Sequence, residues 1–275
     1  MPENILYNLI YSLFSGVAEL FCVDAAPHQR LFELLGGQKQ ADPWLTLWLR
    51  VGVLAALICS NWSRIRRLMR ERRLSLRVRR HRQSDPLAQL DLRFFKTTVI
   101  PALAGVLLYA RAGELITTTA SLALSLTVNG VILFIPRVVS RGNKDGRSVS
   151  RLDGVLMGLG SVLGAVPGIS RMSGMLTAAA IRGIDRSYAL DMALLLSIPV
   201  LAGLLVFDIV AVVTAGAALG LLSLVFYVVY AALAFGGAWL MQILMRYMSV
   251  KIGYSGFAYY SWGFALFAFI LYLII

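Results

Sequence analysis

Residues 163–174 read LGAVPGISRMSG and sit between two apolar stretches of a chain built almost entirely of apolar segments. An arginine at hydrocarbon depth is expensive, so Arg171 marks a functional site by default. It follows a Pro167–Gly168 break, which makes this segment an interrupted helix rather than a simple span. Broken helices persist at membrane depth only where the freed backbone lines a cavity or is covered by protein. The plainer reading is a kinked structural helix whose arginine snorkels to the interface. The sharper one is an anion site. Gly168 permits a tight turn, Ser170 can cap a new helix, and that helix's free N–H groups face the same spot as the guanidinium.

Working outward, 59% of the 275 residues are hydrophobic and 15% charged, and the mean hydropathy is +0.75. That balance excludes a soluble domain and predicts an all-α polytopic membrane protein. The net charge of +12 is concentrated, with ten arginines and only Glu71 against them between Arg64 and Arg82. A basic run flanked by spans is a topology determinant first and a lipid-headgroup contact second. No nucleic-acid partner is expected, since no reading module accompanies it. Cys22 and Cys59 lie in apolar segments, so neither a disulfide framework nor a zinc site is indicated. The first segment, about 5–23, carries Glu19 and lacks a basic leader and a small-residue cleavage site; it is not read as a removable signal.

Six transmembrane helices are predicted near 43–60, 97–111, 116–138, 187–210, 217–245 and 257–275. Two further stretches, 5–35 and 153–183, are broken at Asp24–Pro27 and at Pro167–Gly168, and each reads as a re-entrant helical hairpin. Basic residues then fix orientation. The linker 61–96, the loop 137–151, Arg182 with Arg186, and Arg246 with Lys251 all fall on the cytoplasmic side, and the turn 111–115 lies outside. Residues 1–138 and 153–275 become two repeats, each one hairpin followed by three spans. Three being odd, the hairpins dip from opposite leaflets, which is an inverted-topology repeat with its binding site near the midplane. The repeat rests on topology, because the halves show no obvious sequence identity.

The first hairpin contributes Glu19, Asp24 and His28. Singly, each is explained as a satisfied polar or interfacial residue; together, opposite a matching break that carries Arg171, they favour a site. Asp24 is expected to cap a helix over 25–35 that Gly36–Gly37 would close. Arg50, in the middle of LTLWLRVGVLAAL, needs Glu19 or a bound anion as its partner.

Three stretches resemble the undecaprenyl-diphosphate phosphatase family (BacA/UppP). SGVAELFCVDAAPHQ is similar to its EGxTEFLPxSSxGH motif, AVPGISRMSG to its PGxSRSG motif, and RGIDRSYALDMALLLSIPV to its arginine and LLxIP helix. Ser15, Asp24–Ala25, Met172–Ser173, Met175 and Arg50 depart from the family pattern. The resemblance implies hydrolysis of a polyprenyl diphosphate to the monophosphate in cell-wall carrier-lipid recycling, at the bacterial inner (plasma) membrane, with a divalent cation, magnesium or calcium. It implies Glu19, His28 and Arg171 as catalytic residues and Gly168, Ser170, Arg171 and Ser173 as phosphate ligands. Asp24 and Arg50, which depart from the family pattern, are read as supporting residues, and from its proximity in sequence Asp24 is expected to join Glu19 in holding the metal. The competing class is a transporter or binder of a phosphorylated polyprenyl lipid, with a membrane scaffold third. A homodimer, the lipid's length and the side to which the site opens are left undecided. Glu19, His28, Ser170 and Arg171 are expected to converge on one cavity.

Overall fold

The computed structural model describes residues 5–29, 42–76, 86–112, 118–216 and 220–274. Among them the chain is helical, with one isolated bridge between Lys144 and Ile184 and no strand. The helices are α1 (Ile5–Glu19), α2 (25–29), α3 (Pro43–Ser60), α4 (Trp62–Leu76), α5 (Pro86–Ala112), α6 (Thr119–Val138), α7 (Arg151–Val162), α8 (Arg171–Ile181), α9 (Arg186–Ala215), α10 (Leu221–Lys251) and α11 (Gly256–Ile274). Six of them, α3, α5, α6, α9, α10 and α11, are long and apolar enough to cross a membrane. The architecture is the expected all-α polytopic one.

Local chemistry explains the boundaries. Asp42 accepts the Trp44 N–H at 3.0 Å ahead of Pro43, a residue suited to a first helical turn. Thr118 with Ser121, and Ser150 with Asp153, form reciprocal caps that satisfy orphan N–H groups. Asp185 accepts from Ser187 and Tyr188 to start α9, and Gly216, at a φ of 60°, ends it. Several spans therefore differ from the predicted bounds. The presumed linker 61–96 is largely helix, because α4 presents Leu68 and Glu71 inward while its arginines stay wet, and α5 begins as early as Pro86. Gly36–Gly37 and residues 217–219 lie outside the described residues.

The broken segment over 151–181 is a helical hairpin. Gly160 and Gly174 let its two arms touch backbone to backbone, since a Cβ on Gly160 would stand 2.4 Å from the Gly174 carbonyl oxygen. Its ends meet at Asp153, which is fully buried and accepts from Arg182 Nε at 2.6 Å and from Lys144 Nζ at 3.4 Å. Lys144 also bonds through its backbone to Gly183 and Asp185. Each arm is about 17 Å long, roughly half of a bilayer's hydrocarbon thickness.

Burial raises the Asp153 carboxyl's affinity for protons, but the Ser150 N–H, Arg182 and Lys144 outweigh it, and its pKa lies below the usual range. The stability it contributes is present above the unfolded pKa of about 4 and is lost as pH falls through the folded value. Asp153→Asn is expected to cost about 2 kcal/mol, because both cations retain access to water once unpaired. The apparent Tm in detergent should fall by roughly 5 °C at neutral pH, with the difference from wild type shrinking in acid.

Candidate functional site

The site forms where two chain breaks interlock. The helix α1 ends at Glu19, and after a turn over 20–23 Asp24 caps α2 by accepting the Ala26 N–H at 3.3 Å. The first break thus precedes the expected Asp24–Pro27, and Pro27 lies in the first turn of α2, where a proline needs no N–H. From the other half, α7 passes through a short 3-10 turn, Leu163–Ala165, into the Pro167–Gly168 break. Gly168 has a φ of 96°, and a Cβ there would lie 2.6 Å from Ser125 Cβ, so torsion and space both require glycine. Its N–H donates to Asp24 Oδ2 at 2.8 Å, and Ser170 Oγ donates to the Phe21 carbonyl at 2.7 Å. The two segments are thus joined by direct hydrogen bonds across about 150 residues of sequence.

One residue of α6 clamps the junction. Asn129 is fully buried, and its Oδ1 accepts the Ser170 N–H at 3.0 Å and lies 2.6 Å from Ser173 Oγ. Its Nδ2 donates to the Cys22 carbonyl at 3.1 Å and to Ser261 Oγ at 3.3 Å. Both sides of the amide are used, which is the condition for burying so polar a group at little cost.

Against this junction lies a cavity of about 400 Å³ whose lining includes Glu19, Asp24, Arg50, Tyr109, Ser170 and Arg171. Charges alternate along one wall. Arg171 Nη2 pairs with Glu19 Oε1, Arg50 Nη1 lies 3.9 Å from the same oxygen, and Arg50 Nε pairs with Asp208. Arg171 is the first residue of α8, where the N–H groups precede the first intrahelical bond, Gly174 N–H to the Ser170 carbonyl at 3.1 Å. Its Nη1 is buried and has no hydrogen-bond partner among the described residues. A buried, charged donor left open costs about 1–3 kcal/mol or more, which an anionic oxygen in the cavity would relieve.

Five of the sequence-chosen residues line this cavity together: Glu19, Asp24, Arg50, Ser170 and Arg171. Three do not. His28 is buried beside the site rather than in it. Its Nδ1 donates to the Asp24 carbonyl at 2.8 Å, Nε2 lies 2.9 Å from the Tyr260 hydroxyl, and its ring stacks on Phe264 at 4.4 Å. One helical turn after Asp24, the imidazole folds back on that residue's own carbonyl and faces α11. The Gly168 N–H is already occupied by Asp24, and Ser173 Oγ is buried against Asn129 and the Ser170 carbonyl. Ser170 stands at the cap position of α8 but makes no side-chain cap, its hydroxyl being spent on Phe21.

Asn129, Asp208 and Tyr109 escaped the sequence reading. Asp208 carried a signal, a lone carboxylate inside a 30-residue apolar helix. Asn129 carried a weaker one, because neutral amides are common glue between membrane helices. A tyrosine near a span's end carries none.

Among the described residues no group of three His, Cys, Asp or Glu side chains is assembled to hold a metal. The donor set nevertheless fits a hard cation bound in the lean magnesium manner, through one or two carboxylates plus ligand phosphates. Asp24 is held through Oδ2 and Glu19 through Oε1, and the second oxygen of each enters no hydrogen bond among the described residues. The cavity also has a side. It takes Thr46, Leu49 and Arg50 from the first half of α3, with Val53 just past its middle, and Tyr109 from the end of α5, the ends remote from the arginines of α4.

The chain is similar to known proteins over most of its length. The family model described as "Bacitracin resistance protein BacA" matches residues 8–267. An undecaprenyl-diphosphatase of Carboxydothermus hydrogenoformans is 25% identical over 260 residues, covering 94% of each chain. One from Methanobrevibacter smithii is 26% identical over 271 residues, again 94% of each. One from Moorella thermoacetica is 27% identical over 206 residues, 73% of this chain and 74% of that one.

Proposed function

The chain belongs to the BacA bacitracin resistance family, and from that premise we propose that it hydrolyses undecaprenyl diphosphate to undecaprenyl phosphate, within the cell-wall carrier-lipid cycle of a bacterial plasma membrane. The observation that carries this reading is the open Arg171 Nη1, buried against a cavity that two carboxylates share. The diphosphate enters with its terminal phosphoryl oxygens on Arg171 and on the N–H groups opening α8, where developing negative charge is best stabilised. Glu19, lying between Arg50 and Arg171, positions both guanidinium groups. Asp24 is bound only by neutral N–H groups, which suits it to accept the proton of an attacking water. The water oxygen bonds to the terminal phosphorus, and the bridging oxygen leaves with the lipid monophosphate. A magnesium or calcium ion held by the second oxygen of Glu19 and by the substrate's own phosphate oxygens would supply further charge neutralisation there, leaving Asp24 to take the proton.

The hairpin α7–α8 is proposed to be re-entrant, with its Asp153–Arg182 end at the basic, cytoplasmic side and its tip near the midplane. The α1–α2 segment would dip from the other leaflet, completing the inverted repeat and opening the cavity outward. Purified protein given undecaprenyl diphosphate in detergent should release inorganic phosphate. A chelator should suppress the release, and added magnesium or calcium should restore it. Lipid bound without phosphate release would overturn the hydrolase.

His28 supplies a sharper check. General acid–base groups contribute about 10²–10⁴-fold to a rate. A histidine whose two ring nitrogens are engaged outside the cavity should contribute far less. His28→Gln is expected to keep the initial rate within about tenfold of wild type, and a larger loss would return the imidazole to the reaction.

A further inference from the structure

A second depression, of about 690 Å³, lies on the basic face between α4, the first turns of α5 and the start of α7. Glu71 lines it, 4% exposed, with Oε2 buried and without a hydrogen-bond partner among the described residues. Arg93, Lys96 and Arg151 are exposed around it and enter no ion pair among the described residues. A bare phosphate would suit these three cations but be repelled by Glu71. A bare cation would suit Glu71 but be repelled by the three. A ligand carrying a phosphate and an ammonium group side by side satisfies both.

The surface beyond the depression continues the argument. α5 and α7 run away from the basic face side by side, with Gly158 on the Thr98 carbonyl and Gly105 on Val162. Their outer faces expose Ile100, Leu103 and Leu107 on α5, and Leu152, Val155 and Leu159 on α7. These stripes follow the three- and four-residue helical step and begin at the polar depression, as acyl chains below a headgroup would require.

We propose that this face binds a phospholipid with a phosphoethanolamine headgroup, its phosphate on Arg93, Lys96 and Arg151, its ammonium on Glu71 Oε2, and its acyl chains along α5 and α7. The site is separate from the hydrolytic cavity and does not depend on the reaction assigned to it.

Native mass spectrometry of the full chain in detergent, titrated with lipids of matched acyl chains, tests the assignment. Phosphatidylethanolamine is expected to bind about fivefold more tightly than phosphatidylglycerol or phosphatidylcholine. Glu71→Gln should bring the ethanolamine-to-glycerol ratio close to one. Equal or tighter binding of phosphatidylglycerol by the wild type, or an unchanged ratio in Glu71→Gln, would overturn the proposal. Should that variant not fold, stepwise N-methylation of the headgroup serves on the wild type. Each methyl removes a donor while the charge stays, so affinity should drop along the series, and a flat series refutes the Glu71 contact. Replacing Arg93 and Lys96 together by Gln should weaken both phosphatidylethanolamine and phosphatidylglycerol, whereas unaltered affinity would show that no phosphate is held there.

Discussion

Phosphate release by Arg171→Ala should fall by about three orders of magnitude, the largest loss expected at any single position of the cavity. Removing one preorganised donor from developing oxyanion charge typically costs about 10²–10³ in rate, and Arg171 offers both a donor and a full charge. The change should appear in kcat more than in KM, because the open Nη1 acts on charge that grows toward the transition state. Arg171→Lys retains the charge but loses the fork that spans Glu19 and the substrate together. It should recover only part of the rate, remaining about tenfold to a hundredfold below wild type. Initial rates across a substrate titration give both parameters. An Arg171→Ala enzyme within tenfold of wild type would mean that the phosphoryl charge is met elsewhere.

The second large effect should come from a residue outside the cavity lining. Asn129→Leu leaves the Cys22 carbonyl and the Ser170 N–H buried without their partner, and removes one of Ser173's two. Each orphaned buried group costs about 1–3 kcal/mol, so a loss of roughly 3 kcal/mol or more is expected in unfolding measurements. The same bonds set the position of Ser170 relative to the first broken segment, so the rate should drop more than a hundredfold even in protein that remains folded. Asn129→Asp keeps the acceptor for Ser170 and loses the donor to Cys22. An intermediate effect on stability would separate the two halves of the clamp. An Asn129→Leu enzyme with wild-type kinetics would show that the junction holds without it.

The membrane architecture could be read directly because it depends on one-dimensional quantities. Apolar runs long enough to span act locally, and α3 appears with the bounds 43–60 expected of its apolar run. The second break was equally legible, since proline and glycine act through their own torsions. The cavity residues were legible as a class, polar groups too costly to leave in lipid without purpose. Where each side chain points was not legible. His28 and Ser173 were grouped with Arg171 by proximity to a motif, and each turned toward a partner from another helix, Tyr260 and Asn129. Arg50's main partner, Asp208, lies 158 residues away on α9.

The sequence by itself therefore determined that this chain crosses a membrane and that its second broken segment turns at Pro167–Gly168, because hydrophobicity and backbone torsion are properties of short segments. Only the tertiary structure decided which polar groups share a cavity and which merely brace it. That choice is made by rotation about helix axes and by packing between segments far apart in the chain, where one helical turn separates a carboxylate lining the cavity from an imidazole stacked in an aromatic wall.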